Sequence, residues 1–188
     1  MAKILFFDVE TMGLDYKLHG IIQLGVIVEI DGKVVDLKNF FMKPWKGKEI
    51  DPTAIEAHGK SPEMISVYPE PKDVHKELIK FLSVHVDQFK KDDKFYPAGY
   101  NASFDYQFLS QFFKDAGDKY FGSWFNHRIL DPLAILRIAN VRGKINVTNF
   151  KLETVCKHFN VEIHAHDAMS DIKATQQLYH KVCEFINL

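Results

Sequence analysis

The chain predicts a mixed α/β fold, a five-stranded sheet with helices packed on its faces. Three observations predict it. The first third is rich in β-branched and aromatic runs bounded by turn residues. Strand-like segments then alternate with helical patterns, and the last third repeats apolar residues at helical spacing. Strands first and a βα alternation afterwards give a mixed sheet.

The first strand is Ile4-Leu5-Phe6-Phe7-Asp8-Val9-Glu10, apolar on both faces until its acids, as an internal strand is. Ile21 to Ile30 forms the second. Asp31-Gly32 supplies a tight turn into the third, Val34 to Met42, completing an antiparallel meander. Lys43 to Lys48 is a loop by composition. Short helices start near Asp51-Pro52 and at Ser61-Pro62-Glu63, where Ser caps and Pro takes the first helical position. A longer amphipathic helix carries Val74, Leu78, Phe81, Leu82 and Val86. After the charged loop Asp87 to Lys94, Phe95 to Tyr100 is a short strand. It feeds a helix on which Phe104, Phe108 and Phe112 repeat. Gln111-Phe112-Phe113 within it faintly matches a clamp-binding peptide, but aromatics at helical spacing favour core packing. Arg128 to Asp131 is the fifth strand, and the rest is helical, ending in a helix over roughly Asp167 to Asn187. No repeat, linker or low-complexity segment interrupts the chain, so 1–188 reads as one domain.

Four acids stand out against these apolar patterns. Side chains alternate along a strand, so Asp8 and Glu10 share the face of Ile4 and Phe6. Two like charges on an apolar face are costly unless protons or a cation neutralise them. Taken alone, the pair is as compatible with a strand leaving the core as with a metal site. Asp105 lies on the row of Leu109, Phe112 and Ala116, at the edge of the stripe or inside it. Asp171 falls on the stripe of Ala168, Ile172, Thr175 and Val182 in the last helix. No Lys or Arg stands three or four residues from Asp105 or Asp171. Four acids from three elements, all tied to apolar faces, point to one hard-cation site.

Asp8-Val9-Glu10-Thr11-Met12-Gly13-Leu14, Asn101-Ala102-Ser103-Phe104-Asp105 and His166-Asp167-Ala168-Met169-Ser170-Asp171 resemble the three motifs of the DnaQ-like 3′–5′ exonucleases. The His five residues before the final Asp resembles the DEDDh branch. Ala57-His58-Gly59 and Lys151 to Cys156 resemble further family segments, so the likeness covers nearly the whole chain. It implies a ribonuclease H-like fold with the first strand central. It also implies two divalent cations, Mg²⁺ or Mn²⁺, with Asp8 bridging both, Glu10 and Asp171 completing one and Asp105 serving the other. His166 is implied as general base, with His164 as its rival two positions away. Thr11, Met12, Gly13 and Leu14 are implied to hold the 3′-terminal nucleotide, with Leu14 wedged against its base. Many members carry Thr where this chain has Met12, which bears on substrate preference rather than on activity. Core packing is the competing reading of Leu14. His58 is equally a polar residue closing a short helix or a substrate contact, and Asn101 equally a turn residue or a contact to the strand being degraded. The implied partners are single-stranded DNA or RNA 3′ ends and, as for polymerase III epsilon-type proofreading exonucleases, a DNA polymerase.

Composition bounds these expectations. With 24 basic and 25 acidic residues the net charge is −1, so any nucleic-acid binding must be local. Arg137, Arg142, Lys144 and Lys151 accumulate where no acid intervenes, either as a solvated face or as a guide for the phosphate backbone. No stretch is suited to crossing a membrane, the N-terminus does not resemble a signal peptide, and Cys156 and Cys183 lack metal-ligand spacing. An intracellular protein with reduced thiols is expected. A haloacid-dehalogenase-type phosphatase would want a second Asp at Glu10, and an endonuclease of ribonuclease H type would lack the His-bearing third motif. An accessory module docked on a polymerase is the rival from another class.

Overall fold

Strand β1 (Lys3–Thr11) has neighbours on both sides, as its apolar faces require. On one side β2 (Ile21–Ile30) runs antiparallel to it, with Asp8 opposite Gly25 and Glu10 opposite Gln23. On the other, β4 (Tyr96–Ala98) runs parallel to it over Ile4, Leu5 and Phe6. Strand β3 (Lys33–Phe41) pairs antiparallel with β2, giving the order β3-β2-β1-β4. Asp31 and Gly32 both take positive φ, 50° and 77°, the geometry of the tight hairpin turn expected there. The computed structural model describes residues 2–163 and 167–188.

Among the described residues the sheet has four strands, not the five expected. Arg128 to Asp131 contributes a single parallel bridge, Leu130 to Ala98, in which Leu130 N–H donates to Pro97 O at 2.8 Å. The cause is the residue pair that follows. Asp131 caps helix α6 (Pro132–Val141), its carboxylate accepting Leu133 N–H at 2.9 Å, and Pro132 has no N–H for a ladder. The labels α1 to α5 follow chain order: α1 (Pro52–His58), α2 (Pro62–Ser66), α3 (Pro71–Ser83), α4 (Ser103–Asp115) and α5 (Phe121–Trp124). Ser61 caps the second as expected, accepting from Met64 N–H, and Asp51 caps the first by accepting from Thr53 N–H.

Alternation along β1 sorts its side chains into two cores. Leu5, Phe7 and Val9 join Val74 and Leu78 of α3 and Phe108 and Phe112 of α4. Phe112 and Phe113 are both buried, so the clamp-peptide reading of that segment falls away. Phe6 points to the opposite face, where it packs with Ile172 of α8 (Ala168–Phe185) and meets Tyr179 edge-on at 5.3 Å. Helices α6 and α7 (Leu152–His158) back α8 through Leu136, Val155, Leu178 and Val182. Asp8 and Glu10 continue the Phe6 face and therefore look toward α8. Among the described residues no helix is long and apolar enough to cross a membrane.

Candidate metal centre and adjoining pocket

Asp8, Glu10 and Asp171 each place a carboxylate oxygen within 4.8 Å of the others. All three are half-buried. Burial raises the Asp8 carboxyl well above its usual range, and the charges of Asp105, Asp171 and Glu10 push it further the same way. A cluster of hard oxygen donors whose own charges oppose ionisation fits a divalent cation such as Mg²⁺ or Mn²⁺, which would remove that cost on binding.

The approach of α8 to β1 depends on a glycine. Gly25, directly opposite Asp8, lies so close to the start of α8 that a Cβ would stand 2.7 Å from Ala168 O and 3.0 Å from Met169 N. Gln23, fully buried opposite Glu10, grips the same helix start. Its Nε2 donates to Asp167 Oδ1 at 2.7 Å and to Asn39 Oδ1 at 3.1 Å. The other Asp167 oxygen accepts Ser170 N–H at 3.0 Å and so caps α8 one turn before Asp171. Neither Gly25 nor Gln23 is among the residues that the motifs single out. Their signals in the sequence are a lone Gly and a lone Gln inside an otherwise apolar strand, marks of a close backbone approach and of a buried polar contact.

Asp105 is 5% exposed and stands beside the three acids rather than among them. Strand β4 stops at Ala98, opposite Phe6, so further along β1 no strand lines that edge. Val9 N–H donates instead to Asp105 Oδ1 at 3.1 Å. Burial pushes the Asp105 carboxyl up to about 7, against the lowering by that hydrogen bond. Asp131, expected only as a strand end, holds the turn before Asp105 by accepting Asn101 N–H and Ala102 N–H at 3.3 and 3.1 Å.

The loop after β1 forms one lip of a pocket of about 280 Å³, lined by Glu10, Thr11, Gly13, Leu14, Asp51, Ala54, His58 and Phe104 among others. Leu14 is 81% exposed at its mouth, which excludes core packing. Thr11 Oγ1 donates to Gly13 O at 2.7 Å and stiffens the lip. Met12 departs from expectation. A bulge between Glu10 and Thr11 breaks the alternation, and the Met12 side chain is fully buried with Ile22 and Ile65. Its N–H goes to Gly20 O and its carbonyl accepts Asp51 N–H, so neither backbone group is left to face the pocket. His58 combines both of its readings. It ends α1 before Gly59, its Nδ1 accepts Lys60 N–H at 3.0 Å, and it lines the pocket. Burial lowers its pKa, with Lys60 adding to the effect, so the ring is held neutral. Asn101 has φ 58° and its carbonyl accepts Phe104 N–H, the turn role, while its side chain is exposed. His166 and its rival His164 lie outside the described residues.

The basic run is not one surface. Arg137, Arg142, Lys144 and Lys151 are all exposed, and Arg137 lies over the Phe150 ring at 5.9 Å. Arg142 and Lys144 flank a groove with Ile138 and Phe185, at the far end of α8. At 1.5 Å per residue that is roughly 20 Å along the helix from Asp171, too far for these two to touch a phosphate held by the acids.

A model of the exonuclease family (RNase_T) matches residues 5–179. The DNA polymerase III PolC-type of Bacillus cereus is 29% identical over 177 residues, covering 94% of this chain and 11% of that protein. That of Halalkalibacterium halodurans is 30% identical over 178 residues, again covering 94% and 11%. The chain thus spans about a ninth of the length of these relatives. Among solved structures, a zinc-bound E. coli ExoI–ssDNA complex superposes with a TM-score of 0.80 at 21% identity, over 98% of this chain and 40% of that one. Exonuclease I from Methylocaldum szegediense gives 0.81 at 19% identity, over 98% and 41%. At these identities the likeness speaks for the fold, in keeping with the ribonuclease H-like expectation.

Proposed function

The chain belongs to the exonuclease family, and we propose that it is a 3′–5′ exonuclease that trims single-stranded nucleic acid from a free 3′ end, releasing nucleoside 5′-monophosphates. The observation that carries this reading is the meeting of Asp8, Glu10 and Asp171 beside a pocket whose lip is Leu14. Two divalent cations, Mg²⁺ or Mn²⁺, are the fitting cofactors. When bound, such a pair activates the attacking water, neutralises the phosphoryl charge and stabilises the leaving oxygen. Asp8, Glu10 and Asp171 would hold the ions, with Asp8 serving both and Asp105 the second. His166 takes the proton of the attacking water, a task suited to an imidazole of pKa about 6.5.

The terminal nucleotide occupies the pocket, with Leu14 wedged against its base, Gly13 and Thr11 shaping the lip, and His58 and Phe104 in the wall. At about 280 Å³ the pocket has room for a base. A paired end must fray before that base enters, at a cost of a few kcal/mol, hence the preference for single strands. DNA is the favoured substrate, supported by the DNA polymerase relatives and by the neighbour solved with single-stranded DNA. RNA trimming is the alternative. Residues 1–188 act as one exonuclease domain, and a DNA polymerase is its candidate partner.

The test compares Mg²⁺-dependent release of mononucleotides from linear and circular single strands, in DNA and RNA series. Linear strands with a 3′-hydroxyl should be degraded and circles spared. Equal cutting of the circle would make the enzyme an endonuclease. His166→Ala should lose about 10²–10⁴-fold in turnover while keeping Mn²⁺ binding, with His164→Ala near wild type. The reverse pattern would move the base to His164.

A further inference from the structure

The segment from Met12 to Gly20 closes on itself, with Met12 N–H donating to Gly20 O at 2.9 Å. Within it His19 holds both neighbours of Leu14. On one side, His19 N–H donates to Asp15 O at 2.8 Å, and Asp15 N–H donates back to His19 Nδ1 at 3.0 Å. Both backbone groups of Asp15 therefore bond to His19, and the carbonyl also accepts Leu18 N–H at 3.1 Å. On the other side, a Cβ built on Gly13 would lie 2.5, 2.6 and 2.6 Å from His19 Cγ, Cδ2 and Cε1. Near-equal distances to three ring atoms mean that Gly13 sits over the face of the imidazole. Leu14, between these two fixed points, is itself exposed. His19 is anchored in turn by a parallel bridge to Glu49, with Glu49 N–H donating to Leu18 O at 2.8 Å. Two residues on, Asp51 donates to Met12 O and caps α1, the helix that carries His58.

We propose that His19 is a positioning residue that sets where Leu14 stands at the pocket mouth. It clamps the lip from below and ties it to the opposite wall. The proposal rests on the reading of Leu14 as the contact to the terminal nucleotide. His19 belongs to neither the acid cluster nor the pocket lining. Its loss should weaken the grip on substrate without touching the chemistry at the acids. Asn carries an acceptor at a reach similar to Nδ1 and is the conservative replacement for the bond from Asp15.

The experiment measures kcat and KM for a single-stranded oligodeoxynucleotide with wild type, His19→Ala and His19→Asn. Mg²⁺-dependent hydrolysis of bis(p-nitrophenyl) phosphate, which has no base to be gripped, is measured alongside, with the melting temperature as a control of folding. His19→Ala should raise KM about tenfold, the scale of one lost hydrogen bond and its packing, with kcat within about twofold. Its turnover of the nitrophenyl ester should match wild type, and His19→Asn should recover most of the KM. An unchanged KM in His19→Ala overturns the inference alone. So does an equal loss on both substrates, which marks a general defect, and so does a His19→Asn variant that folds and behaves as Ala does. A wild type that cleaves the ester but leaves the oligonucleotide intact overturns the exonuclease reading, and the inference with it.

Discussion

The proposed metal half and the proposed substrate half of the site each turn on a glycine, and they are built to opposite standards. In the metal half, Gly25 lets the backbone of α8 press against the sheet opposite Asp8. A side chain there would strike carbonyl and amide atoms that a packed helix cannot move. In the substrate half, Gly13 rests on a ring, and the residue it helps to present stands in solvent. The difference follows from the physics of the two tasks. Like-charged carboxylates can be held within a few ångströms only by elements too well packed to spread apart. A base, by contrast, can be gripped only by a side chain that remains accessible before it arrives.

The largest effect should come from breaking the metal half directly. Asp8→Asn, or Asp171→Asn, should lower turnover at saturating Mg²⁺ on the order of 10³-fold or more while leaving the metal-free fold intact or more stable. Near-wild-type turnover in either would remove the acids from the role. Breaking it at one remove, Gly25→Ala should cost roughly 10²-fold in turnover through displacement of Asp171, together with weaker Mn²⁺ binding. If that variant retained metal affinity, the start of α8 would be more yielding than its contacts imply. In the substrate half, Leu14→Ala should mainly raise KM for a single-stranded oligonucleotide, by about tenfold. A fall in kcat with KM unchanged would place Leu14 in the chemistry instead and dissolve the division between the halves.

Much of the metal half is legible in the amino-acid pattern alone. Period two puts Asp8 and Glu10 on one face, and period 3.6 puts Asp171 on the stripe that covers it. What the pattern hides depends on long-range contacts. Gly25 has meaning only once α8 is known to pass over it. The bond from Val9 N–H to Asp105 exists because β4 ends after three residues. The fifth strand fails because Asp131 serves as a helix cap, a competing use of the same residue. The substrate half is harder to read. One bulge after Glu10 turns Met12 into the core, and alternation cannot foresee a bulge.

The smallest predicted effect sharpens the comparison by titrating the metal half alone. Asp105, and Asp8 with it, has a folded pKa above the ordinary value of about 3.9. Between about pH 4 and about pH 7 these two carboxyls therefore bind more protons folded than unfolded, and their contribution to stability falls as pH rises through that window, against the opposite contribution of His58 and His75, whose pKa values burial lowers. Metal-free protein should lose roughly 10 °C at most in melting temperature across it, and millimolar Mg²⁺ should restore much of the loss at pH 8. An Asp105→Asn variant whose metal-free melting temperature follows pH as wild type does would show the acids to be well solvated.

Asp8 and Asp171 stand 163 positions apart in a chain that is made from one end. At about 5–20 residues per second, β1 waits roughly 8 to 33 seconds on the ribosome before its partner acid has even been joined. Throughout that interval the nascent chain carries half a catalyst, and contacts so distant in sequence are also slow to close. The acid cluster is therefore complete only once Asp171 has been joined and α8 has folded back onto β1.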